Sequence, residues 1–467
     1  MEGCFNCESS LKLSQHLLDV NFPLPENLLK NLSPAETAMF QSQEKLIEII
    51  LASREADYLM LREINLLNLK KLGSPSADKC TSFVPAELYL HMALADLQFG
   101  YRFRAIRNFR SAHRIYSQNL ESDSGCILNN RGMAVIEGIF SALPESWRKW
   151  VDFFTGISGD RDKAIQLMEE LLRAEQFSDP LIAENHLVAI HLFFSLREHQ
   201  LSLRTMEDFG CLGLSGRMSD LLQLRVLLGT HNSKKAAEFG FDCSDPFLKN
   251  FPLPAFYSGI YHLYQLQSEA EPCFRSFLQN WDGNNYRRET WQKISWLGVL
   301  NDNPELISEG REKMGYDGSV VRPQDQAAHS ESVRPVPDRD LLMARILFDA
   351  GRLEEALMTV ENAQLCAKTE SVGIRFECFY RKGRILQGMG RTKESLQTYI
   401  LALGTENVDQ SSFVFVNTLL QAAILSEKAG DQSDAKVFFN RVLDASPDEY
   451  SDYFRDQAIT GLQRLTH

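Results

Sequence analysis

Residues 340–360 read DLLMARILFDAGRLEEALMTV, and two later stretches repeat the design: CFYRKGRILQGMGRTKESLQTYI (378–400) and NTLLQAAILSEKAGDQSDAKVFFNRVL (417–443). Each carries a glycine with alanine or serine five positions on: Gly351/Ala356, Gly390/Ser395 and Gly430/Ala435, the glycines 39 and 40 residues apart. A small residue stands seven before each glycine (Ala344, Gly383, Ala423), and a large one four after each alanine or serine (Val360, Tyr399, Phe439). Glycine ends a helix where the left-handed conformation is easiest. Small residues then let the next helix cross close to the first. A helix–turn–helix unit in tandem predicts stacked hairpins.

The step extends towards the N-terminus. Ala93, Gly100, Ala105, Phe109 and Ala112 stand at equivalent positions, and Gly159/Ala164 keeps the step with Met168 and Leu171 behind it. Ser33-Pro34-Ala35-Glu36 is a capping box with proline at the first helical position, and predicts helices over 34–52 and 54–71. Helices are also expected over 180–196, as a pair within 253–278, and over 287–300 with Trp291 and Trp296. No convincing strand alternation occurs. The expected fold is all-α, a tetratricopeptide-like helical-repeat superhelix (an α-solenoid). Its expected parts are an irregular N-terminal segment plus a hairpin (1–84), worn repeats (85–315), a long loop with three prolines (316–337) and three sharp repeats (338–467).

The net charge of −13 argues against general binding of nucleic acid. No apolar run reaches the roughly 20 residues of a membrane-spanning helix. Met1–Ser14 lacks the basic start and apolar stretch of a secretory signal, so a cytoplasmic location is expected, with export the alternative if a signal has been removed. The nine cysteines follow no framework and read as reduced thiols, Cys126, Cys366 and Cys378 as small apolar fillers.

The segment GIFSALPESWRKWVDFFTGISGDRDKAIQLMEELL (138–172) resembles the inclusion-body-clearance family of tetratricopeptide proteins. It has Leu143-Pro144 after a small-residue helix, then the apolar run Trp147–Phe154, then Ser158-Gly159-Asp160. FPLPAFYSGIYHLYQLQSEAEPCFRSFL (251–278) is similar to a later helix pair of that family. The resemblance covers about 85–445. It implies an adaptor-like or clearance-related role without established catalytic residues.

Candidate chemistry is sparse. Cys4-x-x-Cys7 has no second ligand pair nearby, and His186 and His191 fall on different helix faces, so no metal is expected. Gly210, Gly213 and Gly216 follow no strand and read as a turn, and Asp160 and Asp162 sit where a helix begins. No nucleophile–base pair appears, so neither catalysis nor a cofactor is expected. Two surfaces remain. Arg104, Arg107, Arg110 and Arg114 recur every three or four residues opposite Ile106, Phe109, Ala112 and Tyr116, and could grip an acidic protein or peptide or form a solvated, ion-paired face. Trp147, Trp150 and Phe154 describe either an interfacial membrane anchor or the buried face of a core helix. The expected function is a non-catalytic scaffold or adaptor that holds a peptide or partner protein in the superhelix groove. A membrane-peripheral adaptor is the alternative, and the oligomeric state is open.

Overall fold

The computed structural model describes residues 7–73, 81–122, 126–143, 152, 155–174, 180–363, 366, 371–447 and 450–466, and every regular element among them is helical. Contacts divide the chain into two compact units. One comprises Met1–Thr230, Lys235–Ser258 and Arg275–Gly283; the other comprises His231–Lys234, Gly259–Phe274 and Asn284–His467.

In the first unit, α1 (Cys7–Asp19) and the short α2 (Glu26–Leu29) precede four hairpins. These are α3 (Pro34–Ala52) with α4 (Glu55–Leu72), α5 (Val84–Gln98) with α6 (Arg102–Glu121), α7 (Asn129–Ser141) with α8 (Arg161–Ala174), and α9 (Ile182–Ser195) with α10 (His199–Cys211). Then come α11 (Arg217–Gly229), a 3-10 turn (Lys235–Phe239) and α12 (Phe247–Asn250), while α13 (Leu253–Tyr264) and α14 (Ala270–Asn280) contribute residues to both units. The second unit pairs α15 (Arg287–Leu300) with α16 (Pro304–Tyr316), adds α17 (Pro323–Ser332), and continues with α18 (Arg339–Asp349) and α19 (Leu353–Asn362). It ends with α20 (Val372–Gly388) and α21 (Thr392–Leu403), α22 (Phe413–Lys428) and α23 (Gln432–Asp444), and α24 (Ser451–Arg464). This is the tetratricopeptide-like helical-repeat fold.

The repeated glycines do what their spacing predicts. Gly100, Gly351, Gly390 and Gly430 all have φ between 76° and 83°. Beyond each, an amide reaches back over the helix end: Tyr101 N to Asp96 O at 2.8 Å, and Arg352, Arg391 and Asp431 N to Leu347, Leu386 and Ser426 O at 2.9 Å. These bonds satisfy carbonyls that a helix end leaves open. The worn repeats close in the same way without glycine. Arg197, Leu266 and Asp302 take φ of 64°, 59° and 52°, and the next amides bond Phe193, His262 and Gly298 O at 2.8, 2.9 and 2.8 Å. The small-against-large pairing also holds: a Cβ on Gly383 would lie 2.3 Å from a Tyr399 ring carbon.

Four expectations are corrected. The segment before Ser33 is not irregular throughout, because Cys7–Asp19 forms α1, whose Leu13, Leu17 and Leu18 are buried. Its apolar stripe is short, and the helix leans on α3, α9 and α11. The first hairpin also shares a core with α5, through Met39, Phe40, Val84 and Leu88, so no boundary falls near residue 84. The 316–337 loop holds α17, a polar helix without apolar periodicity, docked through carboxylates. Buried Asp325 accepts from the amides of Tyr286 (2.8 Å) and Glu289 (3.1 Å), and Glu331 accepts from Trp296 Nε1 (2.7 Å). Finally, Cys366 and Cys378 are disulfide-bonded rather than thiol fillers; their Cα atoms lie 5.8 Å apart, a separation that a bridge spans without strain. Cys211 is an exposed thiol outside any disulfide.

Two substitutions test this account by thermal unfolding. Gly383→Ala drives a methyl into the Tyr399 ring and should cost about 1–3 kcal/mol, a loss that trimming the ring in Gly383→Ala/Tyr399→Leu partly restores. Leu266→Gly should instead raise the melting temperature by about 2 °C, because it removes a left-handed penalty of about 1 kcal/mol at an exposed position.

Candidate partner-binding surface

Helix α6 carries the arginine stripe on a rigid backing. Its inner face presents Ala105, Asn108, Phe109, Ala112, Ile115 and Tyr116, all buried. Three polar contacts pin it along its length. Asn108 Nδ2 donates to Asp96 Oδ2 at 2.8 Å, Tyr116 Oη to Glu87 Oε1 at 2.8 Å, and Asn119 Nδ2 to Ser82 O at 3.0 Å.

The four arginines are not equivalent. At about 100° per residue, Arg107, Arg110 and Arg114 lie within about 60° of one another, and Arg104 is turned away from them. Its guanidinium donates to Tyr58 Oη (3.0 Å) and stacks over the Tyr101 ring at 4.1 Å. Tyr58 in turn donates to Asp96 Oδ1 at 2.8 Å, and fully buried Asp96 also receives Arg62 Nη1 at 3.0 Å. Burial, and then the bond to Asp96, push the Tyr58 hydroxyl up to about 12. Arg104 therefore belongs to the seam between α4 and α6. Phe103, 77% exposed, takes its place at the head of the line. Phe103, Arg107, Arg110 and Arg114 follow i, i+4, i+7, i+11, one stripe about 16 Å long.

Arg107, Arg110 and Arg114 are exposed, and among the described residues no carboxylate lies within 4 Å of any of them. The charge order of α6 also runs against helix stability. Arg102 and Arg104 occupy its first turn and Glu121 its last, the reverse of what the helix dipole favours.

A second constellation escaped the sequence reading. Arg131 on α7 is buried, with Nη2 3.2 Å from Glu87 Oε2 on α5 and Nη1 2.9 Å from both Glu184 Oε1 and Asn185 Oδ1 on α9. His91 Nε2 lies 3.4 Å from Glu87 Oε2, and its Nδ1 lies 2.8 Å from Ser42 Oγ on α3, which also accepts from Asn65 Nδ2 at 2.8 Å on α4. With Nε2 protonated towards Glu87, every contact along this chain has a donor and an acceptor. Burial raises the pKa of Glu87, but the Arg131 charge and the bonds from His91 and Tyr116 outweigh it and bring the carboxyl down to about 2. Burial holds Glu184 above its ordinary range. The network ties five helices and, through Tyr116, seats α6. Its sequence trace is ionisable residues among apolar and small ones: Glu87 and His91 on α5 and Arg131 on α7.

The other sequence candidates have structural roles or fall outside the described residues. His186 Nδ1 contacts Ile182 O at 2.9 Å within its own helix, and His191 Nδ1 lies 3.1 Å from an Arg225 nitrogen. Gly213 has φ of 68° between α10 and α11, and Asp160 Oδ1 accepts from Lys163 N at 2.9 Å at the start of α8. Trp147, Trp150 and Phe154 lie outside the described residues, as does Cys4. No described helix is long and apolar enough to cross a membrane.

No family model matches the chain, and no curated protein does. Solved structures similar to it include the human IFIT1 dimer with m7Gppp-AAAA, at 12% identity over 99% of this chain and 94% of that one, TM-score 0.34. The APC/C hetero-tetramer Cut9–Hcn1 is similar at 11% identity over 95% and 92%, and yeast Tom70 at 13% over 98% and 96%, both with TM-score 0.26. At such identities and scores the likeness adds nothing to the architecture described above. The resemblance to the inclusion-body-clearance family rests on its quoted motifs alone.

The buried pair predicts an acid limb of known sign. The depressed Glu87 pKa contributes stability that is present in full above the ordinary carboxyl value of 4.5 and is lost as pH falls through about 2. In denaturant unfolding, the stability gap between wild type and Glu87→Gln should therefore narrow from pH 4.5 downwards. A gap independent of pH over that range would contradict the pairing.

Proposed function

We propose that the chain is a non-catalytic interaction scaffold that holds an acidic segment of a partner protein along α6. One observation carries this reading: three exposed arginines in line, with no carboxylate near them among the described residues, headed by an exposed phenylalanine. Arginines whose purpose was stability would be placed at the far end of the helix or beside acids. The planar forks of Arg107, Arg110 and Arg114 suit carboxylates, and Phe103 offers an apolar contact at one end. The stripe matches an extended segment of about five residues. The buried anchors at Asp96 and Glu87 hold α6 still, which lowers the ordering cost of binding. An acidic peptide is preferred to nucleic acid because a net charge of −13 repels a long polyanion from the rest of the surface.

The test uses a fluorescein-labelled glutamate-rich peptide with one terminal leucine, read by anisotropy at two salt concentrations. The peptide should bind more weakly at high salt, and Arg107→Glu/Arg110→Glu/Arg114→Glu should weaken it at least about tenfold. Phe103→Ala should give a smaller loss that is insensitive to salt. Unchanged peptide affinity in the triple variant would overturn the reading. So would arginine-dependent binding of single-stranded RNA with none of the peptide.

A further inference from the structure

Helix α4 bears the most concentrated apolar surface on a single described helix. Tyr58, Leu61 and Asn65 face inward. On the other side Leu59, Met60, Leu66 and Leu67 are 58%, 46%, 46% and 48% exposed. Single exposed leucines are ordinary. Here all four, with Ala56, Glu63 and Lys70, fall within about 120° of one helix face, a stripe of the kind that marks an interaction site.

Charge along the stripe identifies the occupant. Glu55 is exposed at the head of α4, and Lys70 and Lys71 are exposed at its tail; among the described residues none of the three has an ion pair. A surface that is acidic at one end, apolar in the middle and basic at the other complements itself when turned through 180°. We infer that α4 pairs antiparallel with α4 of a second copy of this chain. Leu59 and Met60 of one copy then pack against Leu66 and Leu67 of the other, and Glu55 meets Lys70 and Lys71 at both ends. Such a twofold contact is isologous and closes at two copies. The two helix dipoles also run opposite ways.

Size sets the strength. Two helices of 18 residues are each about 27 Å long and bury less than the roughly 1,600 Å² of a standard interface, so the dimer is weak, with Kd on the order of 10 µM. Glu63, midway along the face, comes closest to its own counterpart and opposes the pairing.

Sedimentation velocity over about 1–100 µM, a range bracketing that Kd, tests the pairing on the full chain, with circular dichroism confirming that each variant stays helical. The wild type should shift from monomer to dimer, and Leu59→Asp/Leu67→Asp should remain monomeric. Lys71→Glu should weaken association about fivefold, Glu55→Lys/Lys71→Glu should recover most of it, and Glu63→Gln should tighten it. A wild type that stays monomeric throughout would overturn the inference. A dimer indifferent to Leu59→Asp/Leu67→Asp would do the same. Flotation of monomeric wild type with phosphatidylcholine–phosphatidylserine vesicles, lost in that variant, would assign the face to a membrane instead.

Discussion

A single residue in the left-handed conformation between two helices is the constraint on which both units are built. It reverses the chain in one step and lets the following amide close the last turn of the first helix. The second helix then lies near enough for a glycine or alanine to meet an aromatic ring. At Gly383 and Tyr399 the fit leaves no room for a methyl group. Each hairpin made in this way buries one face and presents another to its neighbour, so the stack follows from the turn.

The readable parts of the fold were those where this turn coincides with glycine or where a cap is explicit. Ser33 accepts from the Glu36 amide while the Glu36 carboxylate accepts from the Ser33 amide, and α3 spans 34–52 as its sequence predicts. Helix α15 likewise matches its expected span, 287–300. Legibility failed where the conformation persisted without its usual residue. Arg197, Leu266 and Asp302 make the same turn, so the middle repeats are worn in sequence and intact in geometry. Helix α17 was hidden for another reason: it is held by carboxylates reaching neighbouring helices, and no periodicity records that.

The candidate surface was half legible. Spacing placed four arginines on α6, yet spacing alone cannot say which of them turns towards a neighbour. Arg104 is drawn to Tyr101, three residues before it, and to Tyr58, whose nearness depends on how α4 packs, and Phe103 joins the stripe because it follows the same helical line. The Glu87–Arg131 pair required three helices to be stacked in register before it existed. Composition shows the charges but not their partners.

Helix α1 gives the first unit a character that a plain array of repeats lacks. Ser14 Oγ donates to Pro180 O and Gln15 Nε2 to Ser215 O at 3.0 Å, while Leu18 joins the cluster of Ala183, Ile190, Phe209, Leu222 and Val226. A stack in which each hairpin touches only its neighbours can grow or fray one repeat at a time. Here the first helix of the chain is completed only by residues far along it, so closing the unit carries the loop entropy of a long-range contact. On a growing chain α1 cannot be fully seated until α9 to α11 have been made. The unit then folds and unfolds as a cooperative block, not as a row of independent repeats.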